Sequence, residues 1–492
     1  MIALFYDSDT TFGKNHIIEM NIMKKIVMMC LLAAATQQIS AEGIKTAGDG
    51  KNYTLNLLSQ IYSDVVDKYV DEDDGEIIYS LYEDVTIAAG DSFTMEDDVT
   101  VLFDDKVTLT IEGEADFHLT KGSTFDSAYD DYDGVEPVGI VMNNEQSQTL
   151  FQNCTFYYVG LRNMSTKGLK VDNCAFHYNN GAIGQAALTI GADGAPFEIT
   201  NSTFSYNKKA AIAGAANFHN PLLIEDCEFY ANGQANGNIP QINLTVAGNI
   251  VVRRCTIEGD TELTMVGGIG ISNFYAIADT HATIADCTIS NNRYGIGTVG
   301  PVDISIEDNT LTDNHYELNP MNGGSGISFY DPYAKTTARV SGNLIEGSLW
   351  GITVIGCKDV NIGRIDVDPA SPDYNPGNNI FKNNGNSGAL YDLYNNSTNT
   401  IYAQGNTWNV SQQTEEQIET VIFHKHDDAS LGTVIFIPVA QPTSISTLSM
   451  FKGQPTTENE IYDLHGRRII HPAKGLYFER SAKGCQLRHF RF

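Results

Sequence analysis

The chain has 492 residues, with 61 Asp and Glu against 30 Lys and Arg, for a formal net charge of −31. That balance excludes nucleic acid and anionic membrane surfaces as expected partners, since phosphate binding needs clustered Lys and Arg. It argues more weakly against a polyanionic polysaccharide. The 44 glycines, and short Val/Ile/Phe/Thr runs broken by Gly, Asn and Asp, describe many short strands and few long helices.

In chain order, Lys24 and Lys25 precede an apolar run from Ile26 to Ala35, followed by Ile39-Ser40-Ala41. This is the pattern of a secretory signal peptide with its start at Met23, so residues 1–41 are expected to be an upstream extension plus that signal. The run is too short to span a bilayer, and Cys30 lacks the small-residue context of a lipidated cysteine. The only membrane involvement expected is through export or surface attachment. Residues 42–84 are expected to form an N-terminal cap. There Leu58, Ile61, Tyr62, Val65, Val66 and Tyr69 fall at helical spacing and predict one amphipathic helix. The acidic run 71–76 lacks the alternation of an EF-hand and reads as a solvated turn.

Residues 85–410 read as one repetitive body, and between about Val138 and Trp408 one phrase recurs in it. It appears as Asn153-Cys154-Thr155-Phe156, Asn173-Cys174-Ala175-Phe176, Asn201-Ser202-Thr203-Phe204 and Asp226-Cys227-Glu228-Phe229, and ends at Gly405-Asn406-Thr407-Trp408. Measured from the second residue of each phrase, Cys154 to Asn406, the spacings are 20, 28, 25, 28, 32, 22, 34, 36 and 27. Such a period marks a solenoid. Each coil reads as a Gly-Ile-type strand, a loop, an alternating second strand, the Asn/Cys turn and a short third strand. Coils stacked at about 4.8 Å would make a rod on the order of 50 Å from about ten or more of them. Asn suits the turns because it tolerates left-handed backbone and its amides can bond from coil to coil.

This pattern resembles the right-handed, single-stranded parallel β-helix family, the pectin and pectate lyase fold with its repeated β-helix coils. The resemblance implies an all-β chain and a polysaccharide groove beside the first sheet. It does not choose a function, because the fold hosts lyases, hydrolases, epimerases and non-enzymatic adhesins. The Gly-His-Gly and Arg-x-Lys signatures of polygalacturonase-like hydrolases are missing. Lyases of the fold pair Ca²⁺-binding carboxylates with a basic residue. Here Arg162, Arg253, Arg254, Arg293 and Arg339 read as solvated surface charges, and no cofactor or Ca²⁺ site is legible.

Cys154, Cys174, Cys227, Cys255 and Cys287 share one turn slot with Asn and Ser, so the slot wants a small side chain, and free buried thiols are expected. Bridging of Cys154 to Cys174 or Cys227 to Cys255 is the alternative at that spacing. No Cys/His cluster has zinc spacing. The candidate site lies elsewhere. Loops after the first strand carry Phe218, Phe274 with Tyr275, Phe329 with Tyr330 and Tyr333, and Tyr391 with Tyr394. The frames Gly268-Ile269-Gly270-Ile271-Ser272-Asn273-Phe274-Tyr275 and Gly324-Ser325-Gly326-Ile327-Ser328-Phe329-Tyr330 look like copies. Aromatic faces at intervals would suit sugar rings; the competing reading is that they cover the edge of the core.

Residues 411–440 read as a C-terminal cap, with the capping-box sequence Thr414-Glu415-Glu416-Gln417. His424 and His426 are expected to be surface residues of it. Residues 441–458 form a linker, and 459–492 a small β-sandwich-like module. Its Tyr462-Asp463-Leu464-His465-Gly466-Arg467-Arg468 and Lys474-Gly475-Leu476-Tyr477 are similar to the C-terminal sorting domain of the type IX secretion system of Bacteroidota, which implies that machinery as a partner. The sum is an exported, cell-surface or secreted protein that binds glycans or surfaces without catalysis, adhesin-like. The alternative is a polysaccharide lyase or glycoside hydrolase acting in the groove.

Overall fold

The computed structural model describes residues 43–72, 75–128, 139–179, 186–214, 218–274 and 280–440, together with the backbone of strands Glu460–Tyr462, Gly475–Ser481 and Gly484–Phe490. The expected signal segment, the linker and Tyr275 lie outside the described residues.

The chain winds in coils of three short strands. The first strands stack into one parallel sheet of 14, from Ile44–Lys45 to Ile422–Phe423. One inward column shows why they stack: Val85, Leu109, Ile140, Leu161, Leu188, Ile212, Ile242, Ile269, Ile296, Ile327, Ile352, Leu393 and Ile422 are successive partners, each shielded from water. Period-two alternation sends the next residue of each strand outward. Just before this column, Gly268, Gly295, Gly326 and Gly351 meet the following coil so closely that an added Cβ would sit 2.3 to 2.9 Å from its carbonyl oxygen. Hence the repeated Gly-Ile.

Second strands form a parallel stack with its own inward column: Phe151, Val171, Ile199, Ile224, Val252, Ile284, Ile306 and Val340. Third strands bring Phe125, Phe156, Phe176, Phe204 and Phe229 into a near-coplanar stack with ring centroids 4.4 to 5.1 Å apart.

The corner between second and third strands divides its labour between two adjacent positions. The first residue of each phrase takes the left-handed conformation: Asn153, Asn173, Asn201, Asp226, Arg254, Asp286, Asp308, Gly342, Asn378 and Gly405 all have φ between 51° and 73°. The second residue points inward and forms the ladder. Asn309, Asn343, Asn379 and Asn406 are linked in order, each amide Nδ2 donating to the next Oδ1 at 2.9 Å. In the earlier coils that position holds cysteine, or serine at 202, and these five cysteines and Cys357 are free and buried. Their thiols donate to backbone carbonyls, as Cys227 does to Glu225 at 3.2 Å. The hydrogen bond to Cys227, together with burial, pushes the Cys255 thiol up to about 12, so it stays protonated.

The predicted amphipathic helix is shorter than its spacing suggests. The helix is Leu55–Ile61, capped by the Thr54 hydroxyl, and Val66–Val70 is instead a strand antiparallel to Ile77–Leu81. The β-branched Val66 and Val70 suit a strand, and Ile77–Leu81 in turn pairs with Val99–Phe103, which pairs with Thr124–Ser127 and extends the third-strand stack. At the other end Thr414 caps the helix Glu415–Glu419. His424 is not a surface residue: it is 5% exposed, its Nδ1 accepts from the Val434 N–H at 2.9 Å, and its Nε2 meets Glu419 at 2.6 Å. Residues 440–492 separate as a second compact unit, in which the three described strands pair antiparallel. Among the described residues no helix is long and apolar enough to cross a membrane.

Candidate functional site

The outward column of the first sheet, one residue past the Ile column, runs Asn243, Gly270, Gly297, Ser328, Thr353 and Tyr394. These side chains are small and uncharged until Tyr394, and they floor a groove of about 570 Å³. Five inter-strand steps make the floor about 24 Å long.

Aromatic rings stand at both ends of this floor. Tyr294 lies flat over it: a Cβ added to Gly267 would fall 2.2 Å from the Tyr294 Cζ, and one added to Gly297 would fall 2.9 Å from its Cε2. The floor is glycine at 270 and 297 because a ring and Pro240 occupy the space a side chain would need. Burial pushes the Tyr294 phenol up to about 12, with the Arg293 charge pulling the other way, so it is a hydrogen-bond donor at neutral pH. Further along, Trp350 sits 4.6 Å from Tyr391 and 5.1 Å from Tyr394, and its Nε1 donates to the Pro320 carbonyl at 3.1 Å. Phe274 and Tyr330, 52% and 44% exposed, line the wall between them.

The eight aromatic candidates therefore separate. Phe274, Tyr330 and Tyr394 line the groove, and Tyr391 reaches it through Trp350. Tyr333 is half exposed on the loop that follows, and its hydroxyl donates to the Phe274 carbonyl at 3.4 Å. That loop is cinched by buried Asp331, which accepts from the N–H groups of Tyr333, Lys335 and Thr336. Phe218 packs against the edge of the core, in a two-residue strand paired with Val246–Ala247. Phe329 is a correction. It is fully buried, because the strand continues to Tyr330 and alternation turns residue 329 inward. The two look-alike frames are also offset by two residues. Ile269, not Ile271, shares a column with Ile327, so Phe274 lies beyond the strand while Tyr330 ends one.

Tyr294 and Trp350 escaped the sequence reading, and Arg293 was named there only as a surface charge. A Tyr in the corner before a Gly-Ile strand, facing coils with glycine at the outward slot, is the signal that could have found the first. Arg293 is not a solvated charge: it is 8% exposed and joins Asn238 and the Asn322 carbonyl in the groove wall. Arg253 and Arg254 do face water, beside Glu225 and Asp226 of the preceding coil. No Asp, Glu, His or Lys is among the described residues lining the groove, and no cluster of three metal-ligating side chains occurs among the described residues.

The family described as "Right handed beta helix region" matches residues 121–310 and 186–365. The fold is a right-handed parallel β-helix. No curated protein matches the chain. Among solved structures, this β-helix is similar to a double mutant of the periplasmic alginate epimerase AlgG, at 10% identity and TM-score 0.36 over 81% of this chain and 85% of that one. The unsubstituted periplasmic AlgG gives 9% and 0.34, over 80% and 84%. The A-module of the Azotobacter vinelandii mannuronan C-5 epimerase AlgE4 gives 11% and 0.28, over 70% and 85%.

Proposed function

We propose that this β-helix is an exported glycan-binding protein whose groove holds a saccharide chain along the coil axis without cleaving it. The observation that carries this is the groove lining: a small neutral floor between aromatic faces at Tyr294 and at Trp350 with Tyr394, and Asn side chains at 238, 243 and 396 to take hydroxyl hydrogen bonds. Sugar rings offer apolar C–H faces to such aromatics and hydroxyls to such amides. A glycoside hydrolase of the usual kind needs two carboxyl groups astride the bond, and the described lining holds none. Export rests on the Lys24-Lys25 and Ile26 to Ala35 signal, and surface delivery by type IX secretion on the Tyr462 to Arg468 and Lys474 to Tyr477 phrases.

The test is a polysaccharide array followed by calorimetry. Trp350→Ala is expected to weaken binding about tenfold or more, from lost stacking. Unchanged affinity in Trp350→Ala and Tyr294→Ala would remove the groove from the account. Release of unsaturated or reducing ends from any bound polysaccharide would replace binding with lyase or hydrolase chemistry.

A further inference from the structure

Arg293 is the only Lys or Arg among the described residues lining the groove, and it is placed unlike Arg253, Arg254 and Arg364. Arg253, Arg254 and Arg364 each stand against carboxylates at the surface. Arg293 is nine-tenths buried, and no carboxylate among the described residues forms an ion pair with it. Its Nη1 donates to the Asn238 side chain and its Nη2 to the Asn322 carbonyl, while its Nε has no partner. A guanidinium carries five N–H donors, so most remain unused. Enclosing a cation without a counter-charge is costly. Tying two loops together does not demand it, since a neutral amide would do so with less desolvation.

We infer that the ligand supplies the missing anion: the groove seats a saccharide unit bearing one carboxylate, sulfate or phosphate group against Arg293, next to the face of Tyr294. This rests on reading the groove as a saccharide seat. The same residues limit the charge density. With one cation, an uncharged floor and a chain of net charge −31, the fitting ligand is a sparsely charged glycan and not a polyanion. An anion there gains charge-assisted, forked hydrogen bonds in a partly dehydrated wall.

The experiment uses the full chain and matched hexasaccharides of cello-, xylo- and manno- type. Each is presented neutral, with one carboxylate, with one sulfate ester, and fully carboxylated, and titrated at low and at physiological salt. In at least one set a singly charged member should bind about tenfold tighter than its neutral twin, with the advantage shrinking as salt rises. Which singly charged member wins identifies the anion. Arg293→Gln should bring the charged-to-neutral ratio to about one. Asn238→Asp, which hands Arg293 an internal carboxylate while keeping the loop tied, should do the same and decides the matter if Arg293→Gln does not fold. Equal binding of neutral and charged twins would overturn the inference and leave the groove reading standing. A preference for the fully carboxylated member would overturn the charge limit. Binding of no member would sink both.

Discussion

From Cys154 to Cys287 the corner slot of each coil holds thiols, with a serine at 202, beside the stacked rings of Phe156, Phe176, Phe204 and Phe229. From Asn309 to Asn406 the same slot holds amides, beside Leu311 and Ile345 and then the stacked rings of Phe381 and Trp408. A thiol is a weak partner: the Cys154 N–H reaches the Cys174 Sγ at 3.4 Å. Asn343 is a strong one. Its Oδ1 accepts from both the backbone N–H and the side chain of Asn309, and its Nδ2 donates to Ile306, Ser341 and Asn379. The comparison teaches that the slot demands small size and inward placement, and that its polarity is free to vary beside the same kind of apolar core. Rings and aliphatic side chains fill the core beside the slot in both halves, so the difference lies at the slot itself: weakly bonded thiols in the first half, a satisfied polar column in the second.

The largest test is Asn343→Ala. It strands the two Asn309 donors in a dry corner and should cost about 3–5 kcal/mol in denaturant unfolding, on the scale of unsatisfied buried groups. A cost like that of a cysteine truncation would erase the distinction between the halves.

Next comes pH. A second amide column, through Asn207, Asn232, Gln241, Asn292 and Asn314, lies at the following corner. In the last coils that corner joins Asn384 to a carboxyl, Asp392. Burial pushes Asp392 up to about 7, against the hydrogen bonds from the Asn409 N–H and Asn384. The folded chain therefore holds this proton more tightly than the unfolded chain does. Its contribution is full below about pH 4 and is lost as pH rises through about 7, a change on the order of 2–4 kcal/mol. Asp392→Asn should flatten that slope; an unchanged pH profile would show that the carboxyl is ionised throughout.

A smaller effect is expected from Cys255→Ala, about 1–2 kcal/mol for a modest cavity, with no change under reducing conditions because the thiols are free. Smallest is Tyr178→Asn. Tyr178 stacks on Tyr206 at 5.4 Å outside the coil, but holds φ 55°, which Asn tolerates better. The lost stacking and the gained backbone comfort should cancel to within about 0.5 kcal/mol in the melting curve.

Much of the coil was legible before any coordinates. The Asn/Cys phrase, the Gly-Ile strand and the alternating second strand each repeat often enough for sterics to speak through them. The left-handed corner and the amide ladder were both implied, but as one role for Asn; the structure separates them onto Asn378 and Asn379 in the same coil. The groove was legible only in part. Tyr330 was found because it closes a Gly-Ile strand; Tyr394, read as part of a loop after a first strand, lies within the strand Leu393–Asn396 instead. Trp350 and Tyr294 were passed over because they precede the Gly-Ile pair, and Phe329 was misplaced by not knowing where its strand ends.

By itself, then, the sequence determined a parallel solenoid, its period, its inward columns and the small-residue slot at each corner, because these are local rules repeated coil after coil. Tertiary structure alone decided the site. One residue of strand extension turns Phe329 into the core and Tyr330 out of it, and a two-residue offset separates frames that look identical. Arg293, Asn238 and Asn322, far apart in the chain, become one wall only when the coils stack, since loops of unequal length bring together what no spacing predicts.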